Sequence, residues 1–215
     1  MAKKTTSAGF KPRSSLEMGK RHLVVVVAFD GVVLGDLAIP SEVFGRIRDI
    51  AGRPLYELRV CSIEPEVVSE HVILRIPWRL SSLKQANTLI VPGVDNPDRP
   101  LPKKLIGALR AAVNRGTRVA SICTGAFVLA QTGALDGLKA TTHWLATADL
   151  ARRYPRVHVN PDVLYVDNGS VLTSAGAAAG LDLCLHLVRC DFGAEIAIRA
   201  ARAAVMPLER AGGQT

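Results

Sequence analysis

The chain has 215 residues, 48% of them hydrophobic, with a mean hydropathy of +0.21; this suffices for one α/β domain with a full core and excludes a mostly disordered chain. Its 27 Lys and Arg against 19 Asp and Glu leave a net charge of +8. Much of that excess lies in Lys3, Lys4, Lys11, Arg13, Lys20 and Arg21, opposed only by Glu17, so the charge marks a basic leader over residues 1–20 and excludes a nucleic-acid-reading face on the folded part.

From Arg21 the chain alternates strand and helix. Leu23 to Phe29 is a valine-rich apolar run that reads as a central parallel strand, and at seven residues it is too short to cross a membrane. After Asp36, Val43, Phe44, Ile47 and Ile50 recur at helical spacing, and Gly52 with Pro54 predicts the stop. Tyr56 to Ser62 reads as a strand, Val67 to Ile76 as strand or hairpin, and Thr88 to Val91 as a short strand ending at Pro92-Gly93. Leu101 to Asn114 is helical, and Thr117 to Ile122 returns as the strand that delivers Cys123. The segment after it, through Leu129 and Ala130, is helical up to Gly133. Ala140 to Thr142 is a short strand, and Trp144 to Arg153 a helix. Val157 to Val159, Val163 to Val166 and Val171 to Thr173 follow as strands, with Asn168-Gly169 as a hairpin turn. Ala177 to Cys190 and Ala194 to Val205 close the chain as two helices. Repeated βα units predict a mainly parallel sheet between helices, with ligands at the carboxyl ends of the strands.

Four segments end at such places. Asp36, Gly93-Val94, Cys123 and His143 follow four different strands, and together they would supply a carboxyl, backbone N–H donors, a thiol and an imidazole. Cys123 stands where strand gives way to helix, so it can react, sense or pack. Unpaired N–H groups of a first helical turn favour a thiolate, which predicts a depressed pKa and the most reactive thiol of the chain. Asp36 is placed to share a proton with it, Thr124 to donate to a bound oxygen, and the N–H groups of Gly93 and Val94 to complete an anion pocket. Each also has a plainer role: Asp36 as a helix cap, Gly93 as a turn, His143 as a helix-start residue packed by Trp144. Cys61, Cys184 and Cys190 read as core residues. The four cysteines form no C-x-x-C pair, which fits a reducing, cytoplasmic compartment. His22, His71, His158 and His186 show no metal-ligand spacing, and neither metal nor cofactor is expected.

In order, Phe29-Asp-Gly, Gly35-Asp-Leu-Ala, Val91-Pro-Gly, Ser121-Ile-Cys-Thr-Gly, Ala140-Thr-Thr-His-Trp and Leu172-Thr-Ser-Ala-Gly resemble the ThiJ/PfpI family of the class I glutamine-amidotransferase-like superfamily. The resemblance implies a flavodoxin-like sandwich with the cysteine at a strained nucleophile elbow. It covers Arg21 to Val205, so residues 21–206 are taken as the domain. Within that family the chain is similar to the amino-terminal domain of AraC-type transcriptional regulators in its Cys-Thr-Gly elbow, its Thr-Thr-His-Trp segment and the run Ser174 to Asp182. It is similar to isonitrile hydratase in the elbow and Asp36. The PfpI-type peptidases place histidine where Thr124 stands, and the amidotransferases use a late His-x-Glu pair that is missing; both departures argue against those activities.

The ending, Ala200-Ala-Arg-Ala-Ala-Val-Met-Pro and then Gly212-Gly-Gln, resembles the passage from sensor to DNA-binding helices in these regulators. Residues 207–215 are therefore expected to begin a linker, and DNA contact to belong only to a carboxyl-terminal module of roughly 100 further residues. The chain is then a regulator cut short or a regulator-derived domain standing alone. The resemblance implies a small-molecule sensor acting as a homodimer. The alternatives are an isonitrile-hydratase-like enzyme with Cys123 as nucleophile and Asp36 handling the proton, and a cysteine redox or electrophile sensor.

Overall fold

All six residues of β1 (His22–Val27) are buried, as a strand covered on both faces must be. The computed structural model describes residues 21–210 and 212–214; the basic leader expected over 1–20 lies outside them. Beside β1 run β2 (Tyr56–Ser62) and β6 (Thr88–Val91), both parallel to it. β5 (Trp78–Arg79) extends the sheet beyond β2, and β7 (Arg118–Ile122), β11 (Val171–Ser174) and β10 (Tyr165–Asp167) extend it beyond β6. The seven strands lie in the order β10-β11-β7-β6-β1-β2-β5, parallel except for the β10–β11 hairpin. β3 (Glu66–Ser69) and β4 (Val72–Arg75) form the hairpin expected there, and β8 (Lys139–Ala140) pairs with β9 (His158–Val159).

The strand order also places the helices. The step from β1 to β2 runs one way along the sheet and the step from β6 to β7 the other. Right-handed crossovers therefore put α1 (Leu34–Phe44) and α2 (Lys103–Asn114) on opposite faces. α3 (Gly125–Thr132) packs with α2, and α5 (Ala178–Ala203) with α1; α4 (Thr147–Arg153) lies beside β9. The result is the expected sandwich of helices around a mainly parallel sheet. Its direction reverses between β1 and β6, and at such a point the carboxyl ends of the strands leave a crevice.

Two helices depart furthest from the reading of the sequence. α1 stops at Gly45, not at Gly52: Ile47 stays buried, but Ile50 is 88% exposed. The side chain of Asp49 accepts the N–H groups of Ala51 and Arg53 at 2.9 and 2.8 Å, a turn that competes successfully with another helical turn. The two closing helices run together as α5, broken at Gly193, whose φ of 84° and ψ of 176° lie outside helical values. Residues 206–210 and 212–214 then fold back along the domain. Met206 and Leu208 pack against the core, and Arg210 grips the buried Asp182 through Nε at 3.1 Å and Nη2 at 2.5 Å. Gln214 Nε2 donates to Thr141 Oγ1 and to the carbonyls of Thr142 and Pro161 at 2.9–3.1 Å.

The amino ends of the strands hold a buried polar cluster. Arg118 at the start of β7 meets Asp191 of α5 with two hydrogen bonds of 2.8 and 2.7 Å. Tyr56 donates to the same carboxylate at 2.8 Å, and Thr88 Oγ1 is shared by Arg118 Nε at 3.0 Å and His22 Nε2 at 2.8 Å. Burial and then the Asp191 carboxylate hold the Tyr56 phenol well above its usual range.

Candidate functional site

The strand β7 ends at Ile122 and α3 begins at Gly125, leaving two residues to turn the chain. Cys123 makes the turn with φ of 57°, a left-handed conformation costly for a side chain with a Cβ. Surrounding bonds hold it there. Its N–H donates to Ser174 O at 3.0 Å and its carbonyl accepts the Thr142 hydroxyl at 2.8 Å. Gly125 must be glycine because a Cβ would lie 2.6 Å from the Pro92 carbonyl oxygen and against that of Val91.

Three side chains, one from α1 and two from the β7–α3 turn, converge on Gly93 after β6. A Cβ at that position would lie 2.5 Å from Asp36 Oδ2, 3.0 Å from Thr124 Oγ1 and 3.2 Å from Cys123 Cβ. Asp36 belongs to the first turn of α1 and is buried. Its Oδ2 accepts the Gly93 N–H and its Oδ1 the Ala177 N–H, each at 3.3 Å, and the Cys123 thiol donates to the carboxylate as well. Burial raises the Asp36 pKa, against the lowering effect of the Ala177 and Gly93 N–H groups, the thiol and His143. The thiol goes the same way. Burial, followed by the neighbouring Asp36 charge, pushes Cys123 up to about 11, although the N–H and hydroxyl of Thr124 pull it down. This corrects the depressed pKa expected at the elbow: removal from water and a carboxylate outweigh the first turn of a helix.

The donors expected to form an anion pocket already have acceptors. Gly93 N–H is directed at Asp36, and Val94 N–H at Thr124 Oγ1 at 2.8 Å, while the Thr124 hydroxyl donates to Val94 O at 2.7 Å. His143 is half-buried, accepts the Leu145 N–H at its Nδ1 over 3.4 Å, and lies beside the Trp144 ring at 5.9 Å. A cleft of about 500 Å³ opens past the carboxyl ends of β1 and β2, walled by Phe29, Ile63, Val67 and Leu101; Cys123 does not line it.

Residues that sequence reasoning did not assign complete the surroundings. Gly176, with φ of 93°, closes over the elbow: a Cβ there would lie against Cys123 Cβ and 2.9 Å from its Sγ. Ala177, at φ of 48°, turns its N–H onto Asp36. The Ser-Ala-Gly run carried the signal, but nothing in it said which element it would face. Thr142 ties the elbow carbonyl to the segment that receives Gln214.

Comparison with known proteins identifies the family and the fold. The family model described as the DJ-1/PfpI family matches residues 22–190. An uncharacterized protein in the cpoL 5'region of Streptomyces lividans is 41% identical over 137 residues, covering 62% of this chain and 96% of that protein. The HTH-type transcriptional regulator CdhR of Pseudomonas aeruginosa is 33% identical over 147 residues, covering 67% of this chain and 44% of the regulator. The isonitrile hydratase of Pseudomonas putida is 36% identical over 89 residues, 41% of this chain and 38% of the enzyme. The chain thus spans less than half the length of the curated regulator and of the enzyme that it matches. Among solved structures, an AraC family transcriptional regulator from Pseudomonas putida superimposes with a TM-score of 0.74 at 19% identity, covering 85% of this chain and 99% of that one.

Proposed function

The chain belongs to the DJ-1/PfpI family, and from that premise we propose that it is the small-molecule-sensing regulatory domain of an AraC-type transcriptional regulator. DNA contact then belongs to a carboxyl-terminal module outside this chain, residues 207–215 begin the linker to it, and the domain works in the cytoplasm as a homodimer. Its effector is a polar or amide-like metabolite received at Cys123, Asp36, Thr124, Gly93, Val94 and His143.

The observation that carries this reading is the closed state of the elbow. An acyl-transfer or hydration site keeps its N–H donors aimed at the reacting oxygen. Here the Cys123 thiol has the Asp36 carboxylate as a base, but the Gly93 and Val94 donors serve internal acceptors and His143 Nδ1 is occupied as a cap. A sensor needs only different affinity for two conformations, and a satisfied pocket that a ligand opens supplies the difference. The match to CdhR along less than half of that regulator fits a detachable sensing unit.

The test is binding without turnover. The purified chain is expected to hydrate simple isonitriles negligibly, while a metabolite from a polar and amide-rich panel raises its melting temperature and loses that effect in Cys123→Ser or Asp36→Ala. Saturable isonitrile hydration at ordinary enzyme rates, abolished by Cys123→Ser, would establish the hydratase reading instead. A strictly monomeric mass in light scattering at micromolar concentration would count against the regulator.

A further inference from the structure

A second group of chemistry-bearing side chains lies at the outer edge of the sheet, toward the end of β11 remote from Cys123. Asp167 closes β10, and its Oδ2 stands 2.7 Å from His186 Nε2. Cys190, one helical turn further along α5, places its Sγ 3.6 Å from the same nitrogen. The three donor atoms lie within 4.8 Å of one another. The Tyr165 ring, 4.9 Å from the imidazole, helps to hold its orientation. Asp167 is exposed and the other two are half-buried, so the group is open to solutes.

Both neighbours meet one ring nitrogen. A proton relay of the Cys–His–Asp kind needs a partner on each nitrogen, so this is not a second nucleophile triad. Convergence of a thiol, an imidazole and a carboxylate on one point is what a bound cation requires. With zinc bonds of about 2.3 Å to sulfur and about 2.0–2.1 Å to nitrogen and oxygen, neighbouring donors of a tetrahedron stand roughly 3.3–3.6 Å apart. The nitrogen–sulfur distance already has that length, and the nitrogen–oxygen distance must open by about half an ångström when an ion replaces the hydrogen between them.

We propose that Asp167, His186 and Cys190 form a binding site for a zinc-class divalent cation, completed by water. The donor set selects the class: thiolate and imidazole favour zinc and its neighbours over magnesium or calcium, which prefer oxygen. A doubly charged ion offsets one thiolate and one carboxylate. On binding, the Cys190 thiol proton and the proton between His186 and Asp167 pass to solvent. The cleft of about 130 Å³ beside His186, shared with Tyr165, Arg189 and Glu209, leaves room for the water. Such an ion joins the β10–β11 hairpin to α5, and it lies next to the returning segment through that same cleft.

Cobalt(II) is the probe, added to the chelator-treated full chain and followed by absorption. At one ion per chain the parent is expected to show a thiolate-to-metal charge-transfer band with the intense visible bands of four-coordinate cobalt, and zinc should bleach both. Cys190→Ser removes the charge-transfer band, His186→Ala weakens binding at least about tenfold, and Asp167→Asn, at an exposed position, weakens it with the circular dichroism of the fold intact. Cys123→Ser leaves the spectrum as it was. Absence of a thiolate band at millimolar cobalt, its persistence in Cys190→Ser, or its loss in Cys123→Ser would each overturn the site.

Discussion

The two ends of the central sheet treat buried charge in opposite ways. At the amino ends of β1, β2, β6 and β7, Arg118 and Asp191 meet through two short hydrogen bonds, with Tyr56, Thr88 and His22 around them. At the carboxyl ends, Asp36 is as deeply buried, yet it is met by two N–H groups at 3.3 Å and a thiol, with no cation in contact among the described residues. A paired charge fixes the elements that carry it; an acid with no cation in contact has its pKa raised by burial and stays responsive to what enters beside it. The first arrangement ties elements together, and the second belongs to the site proposed above.

The largest test of that contrast is at the amino end. Asp191→Ala removes the carboxylate facing Arg118 and should destabilise the domain by about 3–5 kcal/mol in denaturant unfolding, with Cys123 alkylation in the folded protein unchanged. A loss under about 1 kcal/mol would mean that the cluster is not structural. Next comes Gly176→Ala, which adds a methyl against Cys123 at a left-handed position. It should cost about 1–3 kcal/mol and slow alkylation of Cys123; a stability and rate equal to the parent would place Gly176 away from the thiol.

Asp36→Asn should act in the other direction. A raised folded pKa means the folded protein holds the proton more firmly than the unfolded chain. That contribution is complete below the ordinary value of 3.8 and is lost as pH rises through the folded value. The variant should therefore lack this part of the pH–stability profile and match or exceed the parent at neutral pH. Removing the charge also lowers the Cys123 pKa from about 11. Alkylation at pH 8 should then rise by about tenfold for each unit regained, and a pH–rate profile superimposable on the parent's would show that the two side chains do not share a proton. The smallest effect is expected from Arg210→Ala, about 1 kcal/mol and faster proteolysis after Met206; an unchanged cleavage rate would mean that the grip on Asp182 does not hold the returning segment.

Much of this layout was legible in the chain. The valine run of β1, the Asn168-Gly169 turn and the Gly133 stop carry local chemistry that tertiary contacts only reinforce, and the spaced motifs identified the sandwich. The end of α1 was not legible, because Ile47 and Ile50 continue the helical spacing while Asp49 turns the chain. Nor was the thiol's ionisation, which depends on burial beneath Gly176 and on the arrival of Asp36 from another element. The meeting of His186 and Cys190 with Asp167 was not legible either, since Asp167 reaches them only through the β10–β11 hairpin. The fold back through Arg210 and Gln214 left no periodic signal at all.

The dihedral angle at Cys123 has a consequence for inheritance. Glycine would relieve the cost of φ near 57°, and a single base change converts a cysteine codon into a glycine codon. If the sulfur did nothing, drift would have an easy downhill route, and a strained thiol would be an unstable passenger in the gene. Under the proposed sensing role, the bent backbone is the cost of carrying the sulfur where a ligand would meet it.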